Sequence, residues 1–263
     1  MKKVAIITGA SSGIGKECAL LLQENGYLVY DISKTINPSL NYTHYECDVN
    51  DSEKIDKILK EIFDKEGHID VFVNNAGFGI AGAIENTKEE NIKAQINTNL
   101  TSVINLCGKI IPYIKVSGGG NIVNISSVGG IVALPFQAVY SATKAGVEIF
   151  SKALAIEVKP YNIKVTAILP GDTKTGFTQA RRIDNGDEES DVQKRMSASV
   201  DKMAKDEQRG MSPVKVAKVV LKVLKKKNPP LRKSVGFISK CEVLLVRLLP
   251  TKLVNKIVEK IYG

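Results

Sequence analysis

The chain has 263 residues, of which 43% are hydrophobic and 25% charged, with a formal net charge of +9. This composition excludes a disordered chain, which would be less apolar and more extreme in charge, and the length suits one large domain with a substantial core. The cysteines Cys18, Cys47, Cys107 and Cys241 form no C-x-x-C pair and the only histidines are His44 and His68, which argues against a disulfide framework and against a metal centre. Reduced thiols, and no long apolar run after MKKVAIITGA, point to a cytoplasmic protein.

Residues 4–8 are a short β-rich run. Residues 13–25 have helical spacing, with Ile14, Cys18, Leu21 and Leu22 on one side. Short strand-like runs follow at 27–31 and 42–47. Residues 51–65 predict a helix with Ile55, Ile58, Leu59 and Ile62 on one face, and Asp51 or Ser52 as its N-cap. A strand over 69–74 precedes one long helix over 89–115, ended by Ser117 and three glycines. Then come an apolar strand at 121–125, a helix at 138–158 and a strand at 163–169. Residues 175–210 are polar and charge-dense and read as an inserted helical flap over a site. Residues 212–227 predict a helix stopped by Pro229 and Pro230, 231–238 a last strand, and 242–249 and 251–262 two short helices split by Pro250.

Strands alternating with helices predict an α/β fold: a single doubly wound parallel sheet of Rossmann type, helices on both faces, and a C-terminal helical tail. The strands are continuous apolar runs, as burial on both faces requires. Without repeats or linkers, residues 1–263 are read as one domain, with 175–210 as the flap and 240–263 as a basic amphipathic tail. Residues 202–263 hold 16 Lys and Arg against 4 Asp and Glu, a net of +12, and the rest of the chain nets −3. A Leu-rich basic tail could lie on an anionic membrane surface; a solvated face with apolar stripes in the core is the plainer reading and is preferred. No nucleic-acid motif accompanies the charge.

Directly after the first run comes TGASSGIG, with Gly9, Ser11, Ser12, Gly13, Ile14 and Gly15. Glycines here let the backbone turn sharply and approach a ligand, and the following helix N-terminus offers N–H groups to a pyrophosphate. The spacing is not G-x-G-x-x-G, and no G-K-[ST] follows. At the second strand, Ser33 and Lys34 favour the 2′-phosphate of NADP, while Asp31 keeps NAD open as the alternative.

Tyr140 and Lys144 form a Y-x-x-x-K pair on one helix face. An ammonium near a phenol lowers the phenol pKa from about 10, so the phenol can exchange a proton near neutral pH. Ser127 stands thirteen residues before Tyr140, after an apolar strand, where ligands meet parallel sheets. A serine hydrolase is the competing reading, but no G-x-S-x-G is present.

TGASSGIG, the NNAG at 74–77, the Ser127 segment, YSATK and the Pro170-Gly171 pair stand in the order and spacing of the short-chain dehydrogenase/reductase family. The resemblance covers about residues 3–177, with a looser match in the tail, where it is reminiscent of hydroxysteroid and retinoid reductases. It implies an oxidoreductase moving a hydride between NADP(H) and a secondary alcohol or ketone. By the same resemblance Tyr140 is the general acid/base, Lys144 holds the nicotinamide ribose, Ser127 orients substrate, and Asn99 supports a proton-relay water. Asp48 and Val49 match the pair at adenine. Asn75, Ala76 and Gly77 line the adenosine side, Asn75 also bracing the sheet, and Pro170, Gly171 and Thr173 touch the nicotinamide end. NADP users of the family more often carry arginine where Lys34 stands. Members are homodimers or homotetramers built on the helices corresponding to 89–115 and 138–158.

Leu134, Phe136, Val139, Phe177 and Met196 are candidates for an apolar pocket wall, which suggests a hydrophobic, steroid-like ketone. A non-catalytic NADP sensor has no need for the proton chemistry of Ser127, Tyr140, Lys144 and Asn99. Sugar epimerases that share Y-x-x-x-K are usually longer chains.

Overall fold

The computed structural model describes residues 1–263. In chain order the elements are β1 (Val4–Thr8), α1 (Gly13–Glu24), β2 (Leu28–Ser33), β3 (Thr43–Glu46), α2 (Ser52–Glu66), β4 (Val71–Asn74), β5 (Ile80–Gly82), α3 (Glu89–Ile96), α4 (Ser102–Val116), β6 (Gly120–Ile125), α5 (Ala138–Glu157), β7 (Ile163–Pro170), α6 (Phe177–Ala180), β8 (Arg182–Asp184), α7 (Asp191–Arg209), α8 (Pro213–Leu224), β9 (Arg232–Val235), α9 (Phe237–Leu248) and α10 (Thr251–Tyr262).

Seven strands form one sheet in the order β3-β2-β1-β4-β6-β7-β9, and every pairing is parallel. Side chains alternate across a strand, and in β1 both sets are apolar. Val4 and Ile6 join a core with Ile55 and Leu59 of α2, Leu106 and Ile110 of α4, and Leu154 of α5. Ala5 and Ile7 join the opposite core with Cys18 and Leu22 of α1 and Val216, Val220 and Val223 of α8. The sheet is thus buried on both faces, the Rossmann arrangement expected from the continuous apolar runs. The chain winds outward from β1 to β3, then returns to start the other half at β4. The crevice between the C-terminal ends of β1 and β4 is therefore the switch point where such sheets bind ligands.

Asp51 caps α2, accepting from the Lys54 N–H at 3.0 Å. Four local expectations are corrected. The long helix over 89–115 is interrupted by a π-helical turn at Asn97–Thr101, because the buried Asn99 side chain turns inward to bond the Phe78 backbone. Residues 175–210 are not wholly helical: β8 pairs with β5 in a two-stranded sheet whose three-residue strands are too short to show a period. The last strand ends at Val235, and α9 begins at Phe237, earlier than expected, because Gly236 takes a left-handed φ of 99° that turns the chain. The apolar stripes of the tail are not core. Leu244, Leu248, Leu253, Ile257 and Ile261 are exposed, and α10 has no buried residue. No helix is long and apolar enough to cross a membrane.

Candidate active site

The turn after β1 works through its glycines. Gly13 has a φ of 54°, a conformation that residues with a Cβ adopt at a cost. Gly15 sits where α1 meets the end of β1: a Cβ there would overlap the Gly9 carbonyl oxygen and lie 2.5 Å from the Asn75 amide nitrogen. That amide donates to the carbonyls of Thr8 at 3.0 Å and Gly9 at 3.1 Å, tying β4 to the turn. Ser12 caps α1 with no side-chain hydrogen bond, and the first turn carries no acidic residue. Free N–H groups and the positive helix end therefore face the crevice, the arrangement that suits a phosphate.

Asp31 is fully buried in β2. Its carboxylate accepts from the Ala10 N–H at 2.8 Å, the Ser33 hydroxyl at 2.7 Å and His44 Nδ1 at 2.9 Å. Both oxygens are taken, so the residue on which an NAD preference would rest is unavailable to a ribose. The Ser33 hydroxyl is drawn inward by the same bond, leaving Lys34 as the cation at the strand end. Its ammonium lies 2.6 Å from Asp48. Burial works to raise the Asp48 carboxyl, but Lys34 and the Asn50 amides outweigh it and hold the group below the ordinary carboxylate range.

At the other end, α5 presents Tyr140 and Lys144 one turn apart beneath the loop after β6. The Ser127 hydroxyl accepts from the Gly129 N–H at 3.0 Å and lines the same cleft as the Tyr140 phenol. Lys144 is buried and donates to the Ile125 carbonyl at 2.9 Å. Burial pulls its pKa down to about 8. Its Nζ stands 5.8 Å from the Tyr140 ring centre. The expected lowering of the phenol by this lysine is not found in the chain by itself. Burial raises the Tyr140 pKa, the nearby Ser127 hydroxyl works the other way, and burial prevails. Asn99 stands behind Gly77, whose Cβ would lie 3.1 Å from Asn99 Oδ1 and 3.7 Å from Lys144 Nζ. Both ends of the Asn99 amide are held by the Phe78 backbone, at 3.0 and 2.8 Å, which fixes the π turn beside the cleft.

A cleft of about 1130 Å³ joins the two ends. Of the site residues read from the sequence, all line it except Gly15, Asp48 and Asn99, which support it from behind or beside. Of the five wall candidates, Leu134 and Phe177 line this cleft. Phe136 and Val139 line a separate cavity of about 280 Å³, and Met196 is buried against Ala81 and Val200. Sequence reasoning missed much of the remaining wall. Asp172, Glu207 and Met211 come from the ends of β7 and α7, and Phe237, Ile238, Glu242 and Tyr262 from α9 and α10. Burial and the carboxylates of Glu207 and Asp206 push Asp172 up to about 6. No periodicity marks these residues, because four elements distant in sequence meet there.

A glycine turn open to the crevice at the sheet switch point, together with Ser127 on the loop after β6 and Tyr140 and Lys144 on α5, can hold a dinucleotide and move a proton at a carbonyl. The comparisons agree with that chemistry. The family model for short chain dehydrogenase matches residues 3–186. The chain is 40% identical over 238 residues to the 3-ketodihydrosphingosine reductase of Bacteroides thetaiotaomicron, covering 89% of this chain and 88% of that one. Its fold superposes with a TM-score of 0.84 on a short-chain dehydrogenase from Streptomyces avermitilis, at 27% identity over 99% of this chain and 95% of that one. With ElxO, solved with NADP bound, the TM-score is 0.74 at 29% identity over 91% of this chain and all of ElxO. The chain belongs to the short-chain dehydrogenase/reductase family, oxidoreductases that act on CH–OH and keto groups.

Proposed function

We propose that the chain reduces a ketone to a secondary alcohol with NADPH, and that the ketone is a long-chain lipid of the 3-ketodihydrosphingosine type. The observation that carries the reading is the convergence of Ser127, Tyr140 and Lys144 on the same cleft as the glycine turn. The residues fit a dinucleotide: α1 offers an uncapped N-terminus, and the turn leaves no room for side chains where Gly15 packs. When bound, the dinucleotide supplies the hydride. Ser127 and Tyr140 hydrogen-bond the substrate carbonyl, and Tyr140 delivers its phenolic proton as the alcohol forms. Lys144 holds the nicotinamide ribose, and its positive charge favours the phenolate that remains. Asn99 keeps Phe78 and the π turn in place so that a water can return the proton.

Lys34 supports NADP over NAD, since its ammonium can leave Asp48 for a 2′-phosphate of higher charge. As a point charge it sets a preference rather than an absolute choice. The relative's substrate is an acyclic amino ketone, and the cleft suits one. Phe177, Phe237 and Ile238 offer apolar wall, while Asp172 and Glu242, neither of them in an ion pair, offer negative charge to a 2-amino group. A steroid is the comparator, suggested by the tail.

The test is NADPH oxidation against a panel of ketosphingoid, steroid and small polar ketones, with NADH alongside. Turnover of the lipid ketone should fall by about 10²–10⁴-fold in Tyr140→Phe, with NADPH affinity unchanged. If that variant instead loses NADPH binding, Tyr140 is structural. If no ketone reacts although NADPH binds tightly, the chain is a sensor or an epimerase. If only small polar ketones react, the lipid assignment is wrong.

A further inference from the structure

Two helices at the end of the chain carry a surface that folding leaves uncovered. In α9, Phe237 is 82% exposed, Leu244 54% and Leu248 69%. They repeat at seven and four residues, one stripe of the helix. In α10, Leu253, Ile257 and Ile261 repeat every four residues and are 42–44% exposed. Val254, Val258 and Tyr262 lie one position further round and are less exposed, and Tyr262 reaches Asp206 of α7 at 3.2 Å. One stripe of α10 thus holds the helix to the protein, and the next faces outward. Lys252, Lys256 and Lys260 form a third stripe beside the outward one, all exposed. Lys240 and Arg247 add exposed cations on α9.

An apolar ridge edged by regularly spaced lysines fits one partner chemistry well: the boundary of an anionic bilayer, where leucines enter the acyl layer and lysines meet headgroups. A second copy fits poorly. A twofold contact apposes the same patch to itself, which would bring the lysine rows of the two copies towards one another. The charge distribution also orients the molecule, since residues 202–263 carry +12 and the remainder −3. Twelve-residue helices cannot cross a bilayer, so they would lie along its surface.

Their position matters more than their composition. Phe237, Ile238 and Glu242 of α9 and Tyr262 of α10 line the cleft that holds Tyr140, and Phe237 and Ile238 are also exposed at its mouth. We propose that α9 and α10 seat the enzyme on an anionic lipid surface with the mouth of the cleft against the bilayer, so that a membrane-held ketone enters without crossing water. The docking stands on the surface alone, and the entry route rests on the lipid-ketone reading above.

The experiment is cosedimentation of the full-length protein with phosphatidylcholine vesicles, with and without phosphatidylglycerol, at low and high salt and without substrate. Binding to the anionic vesicles should be strong at low salt, weak with pure phosphatidylcholine, and lost as salt rises. Each lysine near such a surface contributes about a fivefold factor. The triple change Lys252→Gln, Lys256→Gln, Lys260→Gln should therefore weaken binding by on the order of 100-fold. Leu244→Ser, Leu248→Ser, Ile257→Ser together should weaken it at least about tenfold, since each loses apolar contact with the acyl layer. Both variants should keep wild-type turnover of a small soluble ketone, which shows that they fold. Absence of vesicle binding at low salt overturns the proposal, as does equal binding by the variants. If the apolar variant turns a larger assembly into a smaller one and leaves vesicle binding unchanged, the face belongs to a second copy. Vesicle binding without lipid-ketone turnover would instead count against the proposed substrate and leave docking intact.

Discussion

Asp31 touches no part of the cleft, yet the nucleotide end is built on it. Replacing it with alanine leaves the Ala10 N–H, the Ser33 hydroxyl and the His44 ring without their acceptor in a site closed to water. Ser33 has a second acceptor in the Thr35 carbonyl at 3.1 Å. The Ala10 and His44 donors have none. Each buried donor left unpaired costs about 1–3 kcal/mol, so Asp31→Ala should lose about 2–6 kcal/mol. Asp31→Asn keeps an oxygen for Ala10 and turns an amide towards Ser33 and His44, which can both accept. His44 would then carry its proton on Nε2, a buried atom that has no partner now, so one orphan replaces another and the loss should stay near about 1 kcal/mol. Ala10 also accepts from the Tyr42 hydroxyl, so the alanine variant frees one side of a residue in the glycine turn and should weaken NADPH binding about tenfold. Urea unfolding of the three proteins, with NADPH titration of each, measures both effects. If Asp31→Ala loses less than about 1 kcal/mol and binds NADPH as before, the carboxylate does not hold the turn and the reasoning fails.

Gly15→Ala should destabilise by about 1–3 kcal/mol through overpacking, because the new Cβ meets the Gly9 backbone rather than a flexible side chain; NADPH affinity should fall with it, as fluorescence titration will show. Lys144 has a folded pKa of about 8, below its ordinary value, so the unfolded chain binds the extra proton above that pH. Its contribution to stability therefore rises as pH climbs from about 8 into the ordinary lysine range, a slope that melting curves should lose in Lys144→Met; an unchanged slope would clear Lys144. The opposite sign holds for Asp172, pushed up to about 6: its stabilising contribution is complete at low pH and lost as pH rises through that value. Asp172→Asn should raise the Tm at neutral pH by about 2 °C, a small figure because the residue opens onto the cleft and its charge is partly screened by solvent, and should leave it unchanged near pH 4.

What could be read from the sequence was what depends on neighbours in the chain. The apolar runs set strand and helix, and TGASSGIG and YSATK place their residues by spacing alone, since turn and helix geometry fix where residues one to four positions apart must point. The same locality explains the misses. The spacing gives Asn99 no reason to leave an ordinary helix; its side chain turns to Phe78, twenty-one residues away, and the helix widens around it. Asp31 stays open as an alternative ribose ligand until its three donors arrive, two of them from outside its own strand. The Tyr140–Lys144 spacing promises a lowered phenol pKa, but burial, a property of the whole fold, reverses the sign. The tail is the sharpest case. An amphipathic stripe records only that a helix has an apolar side; whether that side meets a core, a second copy or a bilayer depends on what stands opposite. In α8 the sheet stands there, and the valines are buried. In α9 and α10 nothing in the chain stands opposite the outward stripe, and its leucines remain exposed, on the same helices that bring Phe237, Ile238 and Tyr262 to the cleft.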